Sequence, residues 1–139
     1  GKDIALAEKR LGECMLEGKR KGFDYIDRDA RREWAYRPLL MGNPKESIRR
    51  FKEYRKIYPD PEPDKWLVED AWEALANLAL ETKNSLTNLH KIKDELERLG
   101  IHNILRSISF HEGRIRKDNG LLLKVYFSTS FKSLKDVLK

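Results

Sequence analysis

Residues 84–100 read NSLTNLHKIKDELERLG, 101–129 read IHNILRSISFHEGRIRKDNGLLLKVYFST, and 130–139 read SFKSLKDVLK. In the first block Leu86, Leu89, Ile92, Leu96 and Leu99 recur at steps of three or four, so one helical face is apolar and must be buried. Asn84 or Ser85 is suited to cap the start of that helix. Gly100 follows the last periodic residue, where a left-handed position favours glycine.

The second block reads as a β-hairpin. Asn119-Gly120 is the dipeptide that a type I′ turn asks for, because both central residues need positive φ. Leu121, Leu123, Val125 and Phe127 alternate with Leu122, Lys124, Tyr126 and Ser128 on the returning strand, and the outgoing strand is expected over 104–117 with Gly113 at a bulge. From Ile101 to Lys124 there are five Lys or Arg against two acids. Arg114, Arg116, Lys117 and Lys124 fall near the turn, and Arg106 lies further back. Such charges suit phosphate or minor-groove contact, and equally keep an exposed sheet edge soluble.

On the polar side of the helix lie Thr87, Asn88, Lys91, Glu95 and Arg98. The first three are side chains of the kind that reach base edges or phosphates from a major-groove helix. The same pattern describes an ordinary solvated face, and Asp94, Glu95 and Glu97 make its later half acidic.

The order of polar helix, basic hairpin and short closing helix resembles a winged helix-turn-helix, and is most similar to the ending of MarR-like regulators. The elements that carry the resemblance are DELERLGI (94–101), EGRIRKDNGLLLKVYFST (112–129) and SFKSLKDVLK (130–139), with WEALANLALETKNS (72–85) as the first helix of the turn pair. It covers residues 66–139. It implies a DNA-binding module in which Thr87, Asn88 and Lys91 read a groove while Arg106, Arg114, Arg116 and Lys117 hold the backbone or minor groove. It also implies a homodimer.

The whole chain has 139 residues, 29 Lys plus Arg against 23 Asp plus Glu, a net charge of +6 and a pI near 9.4. That balance favours a polyanionic partner. No apolar run is long enough to span a membrane and no secretory signal pattern opens the chain, so an intracellular location, cytoplasm or nucleus, is expected. Cys14 stands alone, which leaves no intramolecular disulfide and no cysteine-rich zinc site.

The first half reads as a helical annex over 1–58. IALAEKRLGECMLEGKRKG (4–22) carries an apolar stripe, a second helix is expected from about Asp27 to Tyr36, and Pro38 should interrupt the segment beyond it. Asn43-Pro44 marks a sharp third start, a cap followed by proline in the first turn. Arg49, Arg50, Lys52 and Lys56 on that helix form a second basic face, with Tyr54 and Tyr58 interleaved. GNPKESIRRFKEYRKIYP (42–59) is similar to the second half of a tetratricopeptide unit, which implies a helix-pair scaffold. Residues 59–65, PDPEPDK, read as a linker. Trp66 and Trp72 beyond it are candidates for packing or for a protein interface.

Two shorter resemblances point elsewhere. Arg106 and His111 have the Arg-x4-His spacing of HEPN ribonucleases, which implies an RNA-cleaving pair on a helix; on a strand the two side chains would face opposite ways. Arg116 to Lys124 is similar to the R-x3-G-L-x-L-K helix of primase large subunits, without the iron-sulfur cysteines, which implies an accessory subunit. His90, His102 and His111 form no spaced metal pair, and no glycine-rich phosphate loop or GxSxG is present. No metal or cofactor is expected.

The sequence thus predicts a mainly α protein with one C-terminal β-hairpin: a helical annex (1–58), a linker (59–65) and a winged helix-turn-helix-like module (66–139). The expected role is non-enzymatic nucleic-acid binding in transcription control or DNA replication, with DNA ahead of RNA. The competing role is a protein-interaction subunit docking through Trp66, Trp72 and the hairpin.

Overall fold

The computed structural model describes residues 2–21, 24–58 and 66–126, and every regular element among them is helical. In chain order these are α1 (Lys2–Lys21), α2 (Asp24–Leu40), α3 (Pro44–Ile57), α4 (Leu67–Ala79), α5 (Ser85–Arg98), α6 (His102–Arg116) and a short α7 over 119–126. The chain divides into two compact units, Gly1–Glu69 and Asp70–Lys139, with the boundary inside the first turn of α4. The expected linker and the expected closing helix lie outside the described residues.

In the first unit α2 packs against both α1 and α3. Small residues set the spacing. Ala35 and Ser47 are fully buried, and the Ser47 hydroxyl donates to the Ala35 carbonyl at 2.6 Å, which satisfies a polar group that close packing has cut off from water. Where α1 nears α2, a Cβ added at Gly18 would lie 3.0 Å from the Asp27 backbone nitrogen, so only glycine fits there without a backbone shift. The start of α3 is as its sequence predicts: Asn43 Oδ1 accepts from the Glu46 N–H at 3.2 Å, with Pro44 in the first turn.

Helix α2 runs further than its sequence suggests, because Pro38 falls inside its last turn. Proline has no N–H for the Trp34 carbonyl four residues back. Arg50 of α3 supplies the missing donor, its Nη1 lying 2.8 Å from that carbonyl, with its guanidinium 4.8 Å from the centre of the Trp34 ring. At the other end of α3, the fully buried Tyr54 donates its hydroxyl to Glu69 Oε1 at 2.9 Å, and Arg32 Nε donates to the same oxygen at 2.8 Å. The Trp66 ring meets Tyr54 edge-on at 5.5 Å.

In the second unit Leu75, Leu89, Leu96 and Ile108 are wholly buried, one or two from each of α4, α5 and α6. Helix α5 stops as expected: Gly100 takes φ +72°, its N–H reaches the Glu97 carbonyl at 3.0 Å, and the Ile101 N–H reaches Leu96 at 2.9 Å. This paired closure consumes two otherwise orphaned carbonyls.

The β-hairpin is not there. Residues 104–117 belong almost entirely to α6, 119–126 form α7, and no strand occurs among the described residues. Ile108, Ser109, Glu112 and Gly113 are the buried positions of α6, a helical stripe of which only one member is apolar. Lys117 closes α6 in the left-handed conformation at φ 55°. Asp118 then caps α7, its Oδ1 accepting from the Leu121 N–H at 3.1 Å, so Asn119-Gly120 opens a helix instead of turning a hairpin. Gly113 is a packing site and not a bulge: a Cβ there would lie 2.9 Å from Leu122 Cδ2.

Candidate nucleic-acid interface

The residues predicted to contact nucleic acid separate into groups with different surroundings. Thr87, Asn88 and Lys91 stay together. With Lys83, Thr82 and Asn77 they line a shallow polar depression of about 610 Å³ where the α4–α5 connection enters α5. Two left-handed residues, Glu81 at φ 55° and Asn84 at φ 62°, fold this connection tightly. The Thr82 hydroxyl donates to the Asn77 carbonyl at 2.7 Å and fixes its shape.

Asn84 occupies the cap position of α5, yet its side chain makes no capping hydrogen bond, and the first turn holds no acid. The Ser85 N–H donates to the Thr82 carbonyl at 3.1 Å and the Asn88 N–H to the Asn84 carbonyl at 3.0 Å, while the Leu86 and Thr87 N–H groups between them have no carbonyl four residues back inside the helix. A helix N-terminus without a side-chain cap, at the positive end of the helix dipole and flanked by Lys83 and Lys91, favours an anion. Thr87, Asn88 and Lys91 are all exposed. Lys83, Asn77 and Thr82 were not singled out in the sequence, and Asn84 was read only as a cap. The signal was present in the TKNS connection, which is small, polar and basic immediately ahead of a helix.

The arginines assigned to a wing do not share a tip. Arg106 lines a separate cleft among α5, α6 and α7. Arg116 Nη1 pairs at 2.9 Å with Glu112, a carboxylate only 1% exposed. Burial by itself would raise the Glu112 pKa, but hydrogen bonds from Lys93 and Arg116 outweigh it and hold this carboxyl below the usual carboxylate range. Arg114 is exposed and lies 5.8 Å from the Phe110 ring, and Lys117 is exposed at the helix end.

Of the basic face expected on α3, Arg50 is committed to the fold. Arg50 is 17% exposed and binds Glu8 and Glu46 in addition to the Trp34 carbonyl. Arg49 pairs with Glu46 at 2.6 Å and Glu53 at 3.0 Å, and its hydrogen bond is the main reason the Glu46 carboxyl is lowered to about 2. Lys52 and Lys56 are exposed.

Trp66 and Trp72 are 8% and 6% exposed. Arg28 and Arg55 flank the Trp66 ring at 5.7 and 5.2 Å, while Trp72 contacts the His111 ring at 5.4 Å. Burial, then the nearby Arg114, lowers the His111 pKa, so this imidazole is neutral near pH 7. Arg106 and His111 do share a helix, but five residues along it separate them by about 140° around the axis. His111 packs on Trp72 whereas Arg106 faces the cleft. The run from Arg116 to Lys124 is likewise broken at Lys117–Asp118 and forms no single helix.

Among the described residues no group of three or more His, Cys, Asp or Glu is placed to hold a metal ion, and no helix is long and apolar enough to cross a membrane. No protein-family model matches the chain, and no curated protein or solved structure matches it either.

Proposed function

We propose that this protein binds nucleic acid, without catalysis, through the exposed beginning of α5. The observation that carries the reading is the convergence of Thr87, Asn88 and Lys91 with Lys83 around an uncapped helix N-terminus. Amide hydrogens, hydroxyls and two ammonium groups are donors to phosphate oxygens, and Asn88 offers a side chain able to read a base edge. The net charge of +6 supports association with a polyanion. Arg114 and Lys117 are exposed cations elsewhere in the same unit. Duplex DNA is the favoured partner.

The test is fluorescence anisotropy of labelled duplex and single-stranded DNA and RNA across a salt series. Binding should weaken as salt rises, and Lys83→Gln/Lys91→Gln should reduce the log–log salt slope by about two, roughly one per lost phosphate contact. No binding at low salt, or a slope that the double substitution leaves unchanged, would overturn the assignment.

A further inference from the structure

The cleft bounded by α5, α6 and α7 encloses about 460 Å³, a volume within the range of small-molecule sites. It lies within the second unit and is separate from the polar depression at the α5 N-terminus. Its charged residues have an uneven distribution. Asp94 and Glu97 come from α5, whereas Arg106 comes from α6 and Lys124 from α7. Lys93 also lines the cleft but is held by Glu112 at 2.9 Å.

Among the described residues neither carboxylate pairs with either of the two remaining cations, and none of the four has another ion pair or side-chain hydrogen bond. The four are therefore charges of both signs facing one cleft without a partner among the described residues. Here they stand on different helices around a space partly lined by Leu105, Leu121 and Val125. A ligand complementary to that arrangement has a positive end, a negative end and an apolar body between them.

We infer that the α5–α6–α7 cleft binds a small amphipathic zwitterion of the apolar dipeptide type. Its ammonium group faces Asp94 and Glu97, its carboxylate faces Arg106 and Lys124, and its side chains lie on Leu105, Leu121 and Val125. A simple organic anion satisfies only the α6–α7 side, and an amine only the α5 side. Each forgoes the charge-assisted contacts that the other side of the cleft offers, which lowers affinity relative to the zwitterion. The inference does not depend on nucleic-acid binding.

Isothermal titration calorimetry tests it with leucyl-leucine and its three blocked forms, N-acetylated, C-amidated and doubly blocked. Leucyl-leucine should bind saturably, and each singly blocked form about ten-fold or more weakly, as expected for loss of one charge-assisted contact. Arg106→Gln/Lys124→Gln should weaken leucyl-leucine and erase discrimination against the amide, while Asp94→Asn/Glu97→Gln should erase discrimination against the acetylated form. All four side chains are at least partly exposed, so the variants should keep the wild-type circular dichroism spectrum. Absence of saturable binding at millimolar leucyl-leucine would overturn the inference, as would a singly blocked form binding as tightly as the free dipeptide.

Discussion

Arg50 of α3 donates to the Trp34 carbonyl of α2 at 2.8 Å, filling the place of the N–H that Pro38 lacks. A residue that reads as part of a basic binding face is therefore a component of the α2–α3 contact. Its guanidinium is planar and offers several donors, so it can hold this carbonyl and the carboxylates of Glu8 and Glu46 at once.

Arg50→Met should destabilise the first unit by about 2 kcal/mol in urea unfolding, because it strands the Trp34 carbonyl and takes from Glu8 and Glu46 one of the cations each holds. In that background Pro38→Ala should recover part of the loss by restoring the helical donor. A double-mutant cycle measures this coupling, and strict additivity would argue against the compensation.

Lys93 and Glu112 provide a second, independent test. Lys93→Met should cost about 1–3 kcal/mol, less than loss of a completely buried pair, since Arg116 remains to hold Glu112. Glu112→Ala should cost at least as much, because its removal leaves both cations without their shared acceptor. Urea unfolding monitored by tryptophan fluorescence and far-ultraviolet circular dichroism would report both changes.

The pH dependence should appear in two windows. His111 is held below its ordinary 6.5, so the unfolded chain takes a proton there more readily, and its contribution to stability declines as pH falls from about 6.5 through the depressed value. Glu112 is held below its ordinary 4.5, so its contribution is complete above that value and is lost as pH falls through the folded one. Stability measured from pH 7.5 to 3 should show both declines. His111→Phe should remove the first and Glu112→Gln the second.

Asp118 defines the entry to α7. Asp118→Ala should cost about 1 kcal/mol through loss of the cap, and hydrogen exchange should accelerate most at Leu121 and Leu122. An unchanged exchange rate at these amides would argue against Asp118 as the organiser of this helix.

The contrast between α5 and α6 explains which elements are legible in the sequence. In α5 the buried positions Leu89 and Leu96 are apolar and Gly100 is the only residue at its left-handed stop, so pattern and chemistry agree. In α6 the buried stripe includes Ser109, Glu112 and Gly113, and burial of a carboxylate depends on Lys93 and Arg116 arriving from α5 and from the next turn. Hydrophobic periodicity cannot register such a stripe. Asp-Asn-Gly is equally fit to turn a hairpin or to open a capped helix, and Leu122 packing over Gly113 accompanies the helical outcome.

Reading α6 as a strand also gathers Arg114, Arg116 and Lys117 near one tip, with Arg106 further back on the same hairpin. On a helix of 3.6 residues per turn they diverge, Arg106 to a cleft and Arg116 to Glu112. Thr87, Asn88 and Lys91 stay together because the helical period of α5 is plain in its sequence. The cleft itself was not legible, since it exists only once α6 and α7 are both helical.

The most direct test of nucleic-acid binding at the α5 N-terminus is an amide chemical-shift map of the 15N-labelled protein titrated with a short DNA duplex. The largest saturable changes should fall on residues 82–91, and Lys83→Gln/Lys91→Gln should suppress them while leaving the rest of the spectrum in place. Changes centred on Lys52 and Lys56 of α3, or none at low salt, would contradict binding at this site.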